Sequence, residues 1–481
     1  MKKFLQSYKS IIIIGIVSVI LSFPLFNNKL NVLVDDGVQH LCRLIGTWQS
    51  ITEHGEIGSV FSDFCNSFGY SWNIFYSPLT AYIPLILKLF IPSFIVVLKI
   101  SLWAMLFLSG IAMYLFTSKV SNNKNVGILS GILYMVFPYH LTDMYIRIAF
   151  AEHASFIFLP LIFLGLYEII NENKKSYMLI VGTTGMILTH NIITIYTAIF
   201  AIIYILANIK KIHKEQFKWL VFSAIFVLCI TSFYWVGLLE HKLSNANYEV
   251  FIPGRMERTD VLEYYKLNFL QLIFTNQGMA FDLGILTIIG VIITPISWKK
   301  IGKKGIYLFS LICGLLSVFM TLDIFPFEKM PQILKMIQFS FRMLEFAGFF
   351  LSYVVAVNLS KVFNNFRLLD TIVLSVIAII LVVPLTKCLQ YKDDLQEQRY
   401  INGVRFTENT GRVHAGMASL EYLPHRAFEN KDYLAKRDND SIILDGSANK
   451  ISENKKGSKL ELVLENVENN TKIELPYIYY L

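Results

Sequence analysis

Charge is scarce in this chain: Asp, Glu, Lys and Arg together make up 16% of its 481 residues, whereas soluble proteins carry about 25%. That scarcity excludes a soluble globular enzyme. Cysteine is scarce as well. The five present, Cys42, Cys65, Cys229, Cys313 and Cys388, show no CxxC spacing, and no metal or haem site is indicated. Cys42 and Cys65 could be joined outside the membrane by one disulfide, although free thiols are the favoured reading. A glycine-rich phosphate loop and a soluble dinucleotide-binding unit are absent, which removes the usual nucleotide sites. There is no internal repeat of short period, and no low-complexity segment beyond a mild Asn/Lys bias towards the carboxy terminus.

What the chain has in excess is apolar surface, with 54% hydrophobic residues and a mean hydropathy of +0.52. Runs such as 11–26, 94–116 and 371–385 are almost free of charge and about as long as a hydrocarbon core requires. The expected fold class is therefore an α-helical polytopic membrane protein. The first run follows Met1-Lys2-Lys3 like a signal peptide, but it ends in Pro24-Leu25-Phe26-Asn27-Asn28 without a small-x-small cleavage site. It is read as the first transmembrane helix.

The net charge of +8 comes from lysines in short clusters between apolar runs, a topology signal rather than a nucleic-acid surface. With the amino terminus in the cytosol, the clusters at 2–9, 119–124, 174–175, 210–218, 299–304 and 361–367 all fall on the inner side. This orientation needs the short stretch 78–91, punctuated by Pro78, Pro84 and Pro92, to lie at the interface instead of crossing. It gives about eleven transmembrane helices within 1–387. Outside lie a long loop at 27–93 with interfacial helices, a second at 140–153, a tip at His190, a loop at 240–280, a segment at 323–342 and the tail. The tail is expected to be extracytoplasmic. In 388–481 the alternation in Lys459-Leu460-Glu461-Leu462-Val463-Leu464 and Thr471-Lys472-Ile473-Glu474-Leu475 predicts strands of a small β-rich domain. It ends at Tyr479-Tyr480-Leu481 directly after a strand with no closing turn, so a natural or artificial truncation is one reading of this end.

Ionisable groups in apolar segments cost about 2.5–3.5 kcal/mol each near a helix centre, so their placement points to function. They gather on the outer side. If 34–43 is helical, Asp36, His40 and Arg43 share one face opposite Val38, Leu41, Ile45 and Trp48. Such a helix either lies on the membrane with Asp36 facing a cavity or is a solvated loop helix with an i,i+4 ion pair. His140, Asp143, Arg147, Glu152 and His153 follow within fourteen positions between two apolar runs. No standard zinc ligand spacing occurs among them, and substrate or catalytic contact is favoured over a metal or a solvated loop. His190 at a hairpin tip is read equally as a site residue or a local hydrogen-bonding one. Arg342 and Glu345 enter a span, where a guanidinium suits a lipid-linked phosphate and otherwise snorkels to headgroups. The loop with Arg255-Met256-Glu257-Arg258 and Asp260 is either a mobile cover over a substrate or a solvated surface.

These residues carry a resemblance. Asp36-Gly37-Val38-Gln39-His40-Leu41-Cys42-Arg43 fits a D-x-x-x-H-L-x-R pattern. With Phe68-Gly69-Tyr70, Asn73-Ile74-Phe75-Tyr76-Ser77-Pro78-Leu79, Pro138-Tyr139-His140-Leu141-Thr142-Asp143, Arg147, Ala151-Glu152 and Gln338-Phe339 with Arg342, the chain resembles the GT-C class of polyprenyl-phosphate-dependent glycosyltransferases. Within that class it is similar to the bacterial YfhO-like proteins and to the group labelled "6-pyruvoyl-tetrahydropterin synthase related membrane protein". No residue pattern argues for the pterin chemistry of that label. The resemblance implies a GT-C-like membrane domain in a bacterial plasma membrane and sugar transfer from a polyprenyl-phosphate-linked donor to an envelope glycopolymer or glycolipid. Asp36 is implied as the catalytic carboxylate, with Asp35 as the alternative because the doublet leaves the register open by one. Substrate-binding roles fall to His40, Arg43, His140, Asp143, Arg147, Glu152, His153, His190, Arg342 and Glu345. Many GT-C enzymes use a divalent metal, and the participation of Mg or Mn stays open. The competing readings are a lipid-linked sugar transporter or flippase and a non-catalytic envelope assembly protein.

Overall fold

The computed structural model describes residues 2–244, 248–249, 267–274, 281–301, 304–331, 334, 337–363, 366–391 and 422–480. The principal helices are α1 (Lys2–Ser22), α2 (Gly37–Gln49), α3 (Phe94–Ser121), α4 (Lys124–Met135), α5 (Pro138–Tyr145), α6 (Phe150–Glu172) and α7 (Met178–Ile187). They continue as α8 (Asn191–Ala207), α9 (Lys214–Leu243), α10 (Ile285–Ile292), α11 (Lys304–Thr321), α12 (Met343–Val362) and α13 (Leu368–Val382).

Among the described residues five helices, not eleven, are long and apolar enough to cross a membrane: Tyr8–Phe26, Phe94–Ser121, Phe150–Glu172, Lys214–His241 and Ser340–Val362. The difference arises because apolar run length does not reveal where a helix breaks. The run through 178–207 is split at His190, whose ring caps α8 by accepting the Ile193 N–H at 3.2 Å, leaving α7 only 10 residues. Ten helical residues rise about 15 Å, half of a hydrocarbon core. Similarly, the Asn123 side chain caps α4, which runs 12 residues. The run at 285–298 divides before Thr294, with a proline in the first turn of the second piece. In 78–91 the chain makes two four-residue helices, Leu79–Tyr82 and Leu85–Lys88.

The chain forms two compact units, one of Met1–Asp36, Lys99–Thr231 and Glu257–Asp394, the other of Gly37–Leu98, Ser232–Met256 and Leu395–Leu481. In the first, α12 is the central helix: every residue from Met343 to Ser360 is buried, and it packs on α11, α4 and α10. Phe346, Phe349 and Phe350 meet Phe163, Phe200 and Phe309 there. Asn358 fixes the register. Its Nδ2 donates to Gly290 O at 2.8 Å and Thr294 Oγ1 at 3.0 Å, while its Oδ1 accepts from Ser297 Oγ at 2.5 Å and Tyr307 OH at 2.8 Å. A buried amide with every group satisfied specifies one packing. Helices α6 and α7 approach backbone to backbone at Gly165, where a Cβ would lie 2.3 Å from Leu179 N. Small residues permit such close helix contacts in membranes.

In the second unit α2 is buried on most of its surface, including Arg43, so it does not lie on a surface with an apolar stripe below and a polar face above. Cys42 and Cys65 are buried free thiols, and the disulfide does not form. The second unit holds three antiparallel two-stranded ladders, two of them wholly from the tail: β1 (Tyr248–Glu249) with β2 (Leu423–Pro424), β3 (Ile442–Asp445) with β6 (Lys472–Glu474), and β4 (Asn449–Lys456) with β5 (Lys459–Glu465). The alternating exposure along β5 is the pattern read from its sequence. An isolated hairpin is marginal in water, and this one is held by 56–70. Ile478 N donates to Phe68 O at 2.8 Å, Lys455 Nζ donates to Ser67 O, and Ser458 N donates to Glu56 Oε1 at 2.7 Å.

Candidate functional site

Most of the candidate residues converge in the first unit. Pro138 starts α5, and the i,i+4 spacing sets Tyr139 and Asp143 on one face, with Arg147 just beyond the helix end. Arg147 Nη1 lies 2.7 Å from Asp143 Oδ1 and 3.1 Å from Glu152 Oε2, and it donates to Tyr139 OH at 3.0 Å. Arg342 closes the group. Its Nε lies 3.1 Å from the same Glu152 Oε2, and its Nη1 donates to Gln338 Oε1 at 2.7 Å and Ile337 O at 3.1 Å. Tyr139 OH donates to Glu152 Oε1. Both oxygens of Glu152 are thereby occupied, which makes it a positioning group for the two guanidiniums rather than a free ligand. Phe341 and Phe339 lie under Arg147 and Arg342, each 5.1 Å from the guanidinium carbon.

The donors left over define what the cluster can bind. Among the described residues neither Arg147 Nη2 nor Arg342 Nη2 makes a hydrogen bond; Arg147 Nη2 only approaches Asp36 Oδ2, at 3.6 Å. Two anchored guanidiniums with spare N–H groups suit a phosphate. Asp36 keeps 35% of its side-chain surface open, and its backbone N–H donates to Arg147 O at 3.0 Å. Surrounding protein raises its pKa above the ordinary carboxylate range, an effect that Arg147 partly offsets. Asp35 is exposed, yet partial withdrawal from water, and then the neighbouring Asp36 charge, push it up to about 6.

Three of the eleven non-glycine residues with positive φ among the described residues lie at the same place. Outside glycine, φ is +43° at Asp35, +49° at Ile148 and +68° at Gln338, residues that adjoin Asp36 and Arg147 and contact Arg342. A β-branched residue such as Ile148 is an outlier there. Each such residue costs on the order of 1–3 kcal/mol and persists where its surroundings over-determine it, commonly at functional sites.

Other candidates are placed differently. Helix α2 begins at Gly37, after the left-handed Asp35, so Asp36 does not share a helical face with His40 and Arg43. Those two belong to the second unit. There Arg43 donates to Asn73 Oδ1 at 3.1 Å and Ser77 O at 3.0 Å and lies 4.3 Å over the Tyr76 ring. His40 meets Tyr76 edge-on. His140 and His153 are fully buried. His140 stacks on Phe156 at 3.8 Å and bonds Tyr134 O, while His153 bonds Leu102 O; adjoining helices have taken both rings into the core. Glu345 is also fully buried, accepting from Ser155 Oγ at 2.7 Å. His190, the cap of α8, is held neutral: burial and the nearby Arg342 cation lower its pKa to about 3. The loop at 251–266, with Arg255, Glu257, Arg258 and Asp260, lies outside the described residues. Tyr139, Ser155 and Gln338 were not among the site candidates; being neutral, they gave no signal of costly charge, although Tyr139 and Gln338 stand inside the recognised motifs.

An uncharacterized protein of Lactococcus lactis subsp. cremoris (strain MG1363) is 24% identical over 347 residues, covering 67% of this chain and 55% of the relative. The chain thus spans about half the length of the curated relative it matches. The family model described as "6-pyruvoyl-tetrahydropterin synthase related domain; membrane protein" matches residues 74–393. That stretch holds Asp143, Arg147, Glu152, His190, Arg342 and Glu345, while Asp35, Asp36, His40 and Arg43 precede it. Matched over more than half of its length, and carrying several long apolar helices, the chain belongs to the 6-pyruvoyl-tetrahydropterin synthase related family of membrane proteins.

Proposed function

We propose that the protein is a GT-C-like, YfhO-like membrane glycosyltransferase that moves a sugar from a polyprenyl-phosphate-linked donor to an envelope glycopolymer or glycolipid. The observation that carries this reading is the pairing of an open carboxylate, Asp36, with Arg147 Nη2 at 3.6 Å. A general base stands beside a phosphate-binding group. In the reaction the acceptor hydroxyl oxygen attacks the anomeric carbon, the bond from that carbon to the phosphate oxygen breaks, and its electron pair leaves on the phosphate. Asp36 takes the hydroxyl proton. Arg147 and Arg342, oriented by Glu152, meet the charge that develops on the phosphate through their spare N–H groups. A single displacement of this kind inverts the anomeric centre. His190, neutral, serves as a hydrogen-bond donor or acceptor at the edge of the group. The leaving phosphate stays with its lipid in the bilayer, so no soluble nucleotide domain is required. The catalytic group works on the extracytoplasmic side of a bacterial plasma membrane, the side opposite the lysine clusters.

The test is Asp36→Asn in a cell whose envelope sugar decoration is measured. Loss of decoration at normal protein level is expected. Undiminished decoration would overturn the assignment, and uptake of a labelled lipid-linked sugar by proteoliposomes without transfer would replace it with a flippase.

A further inference from the structure

We propose that Glu53, His54 and Asp63 form a site for one divalent transition-metal ion, zinc by its donor set. One ring nitrogen of His54 and one carboxylate oxygen from each of Glu53 and Asp63 all lie within 4.8 Å of one another. His54 Nε2 is 2.7 Å from Asp63 Oδ2. An ion about 2.0–2.2 Å from each of its tetrahedral ligands holds those ligand atoms about 3.4 Å apart. The site therefore needs only a small opening of the His54–Asp63 contact and an inward rotation of the exposed Glu53 to reach that geometry, with water completing the shell.

The donor chemistry selects the ion. Two carboxylates balance a divalent charge, and calcium and magnesium favour sets made entirely of oxygen, whereas an imidazole favours the later transition metals. The local backbone is built to present the ligands. Glu53 and His54 stand on a widened one-turn helix, Ser50–His54, directly after α2, a conformation found frequently at functional sites. Gly55, at φ +71°, then reverses the chain, and the Phe61–Tyr70 bridge closes the loop that carries Asp63. His54 Nδ1 is buried and has no hydrogen-bond partner among the described residues, so the ring is anchored only through the nitrogen that faces Asp63.

The ion's place also gives it a task. The turn between β4 and β5 rests on the same segment: Ser458 N and Oγ donate to Glu56 Oε1 at 2.7 and 2.6 Å. A Cβ on Gly457 would stand 2.9 Å from His54 Cβ. Binding at Glu53, His54 and Asp63 orders the platform under the carboxy-terminal hairpin. This role is independent of whether the membrane unit transfers sugars.

The experiment uses the tag-free full chain in detergent micelles, stripped with a chelator and titrated with zinc chloride by calorimetry, with thermal unfolding read in parallel. One equivalent should bind and raise the Tm. Glu53→Gln, at an exposed position that leaves the metal-free Tm unchanged, should weaken zinc binding about tenfold or more, as should His54→Ala and Asp63→Asn. His425→Ala, which removes the surface His425–Glu429 pair at 3.1 Å, should leave it unchanged. The site is overturned if the wild type shows no saturable binding, or if Glu53→Gln and His54→Ala bind zinc as the wild type does.

Discussion

Glu152 bridges two arginines: its Oε2 lies 3.1 Å from Arg147 Nη1 and 3.1 Å from Arg342 Nε. All three side chains are buried. Removing one member of a buried ion network leaves uncompensated charge and costs about 3–5 kcal/mol. Glu152→Ala should therefore lower stability by about that amount and abolish sugar transfer together, measured by thermal unfolding in micelles and by decoration of the envelope. Unchanged stability would show that the two guanidiniums do not depend on the bridge.

Arg342→Lys keeps the charge but loses the planar fork. A single ammonium cannot reach Glu152, Gln338 and Ile337 O together and still offer N–H groups to a phosphate. The KM for the lipid-linked donor should rise about tenfold, a loss of about 1.4 kcal/mol, with a smaller change in kcat. An unchanged KM would remove Arg342 from donor binding.

Asp35 makes a prediction about pH. Its pKa is raised from 3.8 to about 6 in the folded chain, so deprotonation opposes folding, and the penalty grows as pH rises from the unfolded value through the folded one. Asp35→Asn should be more stable than the wild type above pH about 6, with the difference vanishing as pH falls towards 4. Asp36 already carries the charge that raises Asp35, so Asp35 is still neutral when Asp36 ionises, and the same substitution should leave the acid limb of transfer where it is. Melting curves and a pH–rate profile measure both; a stability gap that widens on acidification would contradict the account.

Asn358 tests the fold apart from the chemistry. Asn358→Ala leaves Ser297, Tyr307, Thr294 and Gly290 O without their buried partner and should cost about 1–3 kcal/mol for each group left unsatisfied, reduced by whatever water can enter. Stability should fall while the KM for the donor stays unchanged. A shifted KM with unaltered stability would place Asn358 in the site instead of the core.

Much of this was legible in the chain. Charges in apolar surroundings are costly, so Asp143, Arg147, Glu152 and Arg342 stood out, and the structure gathers these four. The alternation in 459–465 and 472–474 announced strands. The span count was not legible, because His190 and the break before Thr294 end helices inside unbroken apolar runs. Nor was the start of α2, since a left-handed Asp35 leaves no mark on hydropathy. The Arg43 network depends on Asn73 and Ser77, more than 25 residues away, and periodicity cannot see such pairings.

The most direct test of the central claim is mass spectrometry of membrane lipids and envelope glycans from cells that carry either the wild type or Asp36→Asn as their sole copy, at equal protein level. The account predicts that the variant loses its sugar from the envelope, with transfer down about 10²–10⁴-fold, while the polyprenyl-phosphate-linked donor accumulates. Envelope sugar and lipid-linked donor both at wild-type levels in the Asp36→Asn cells would contradict it.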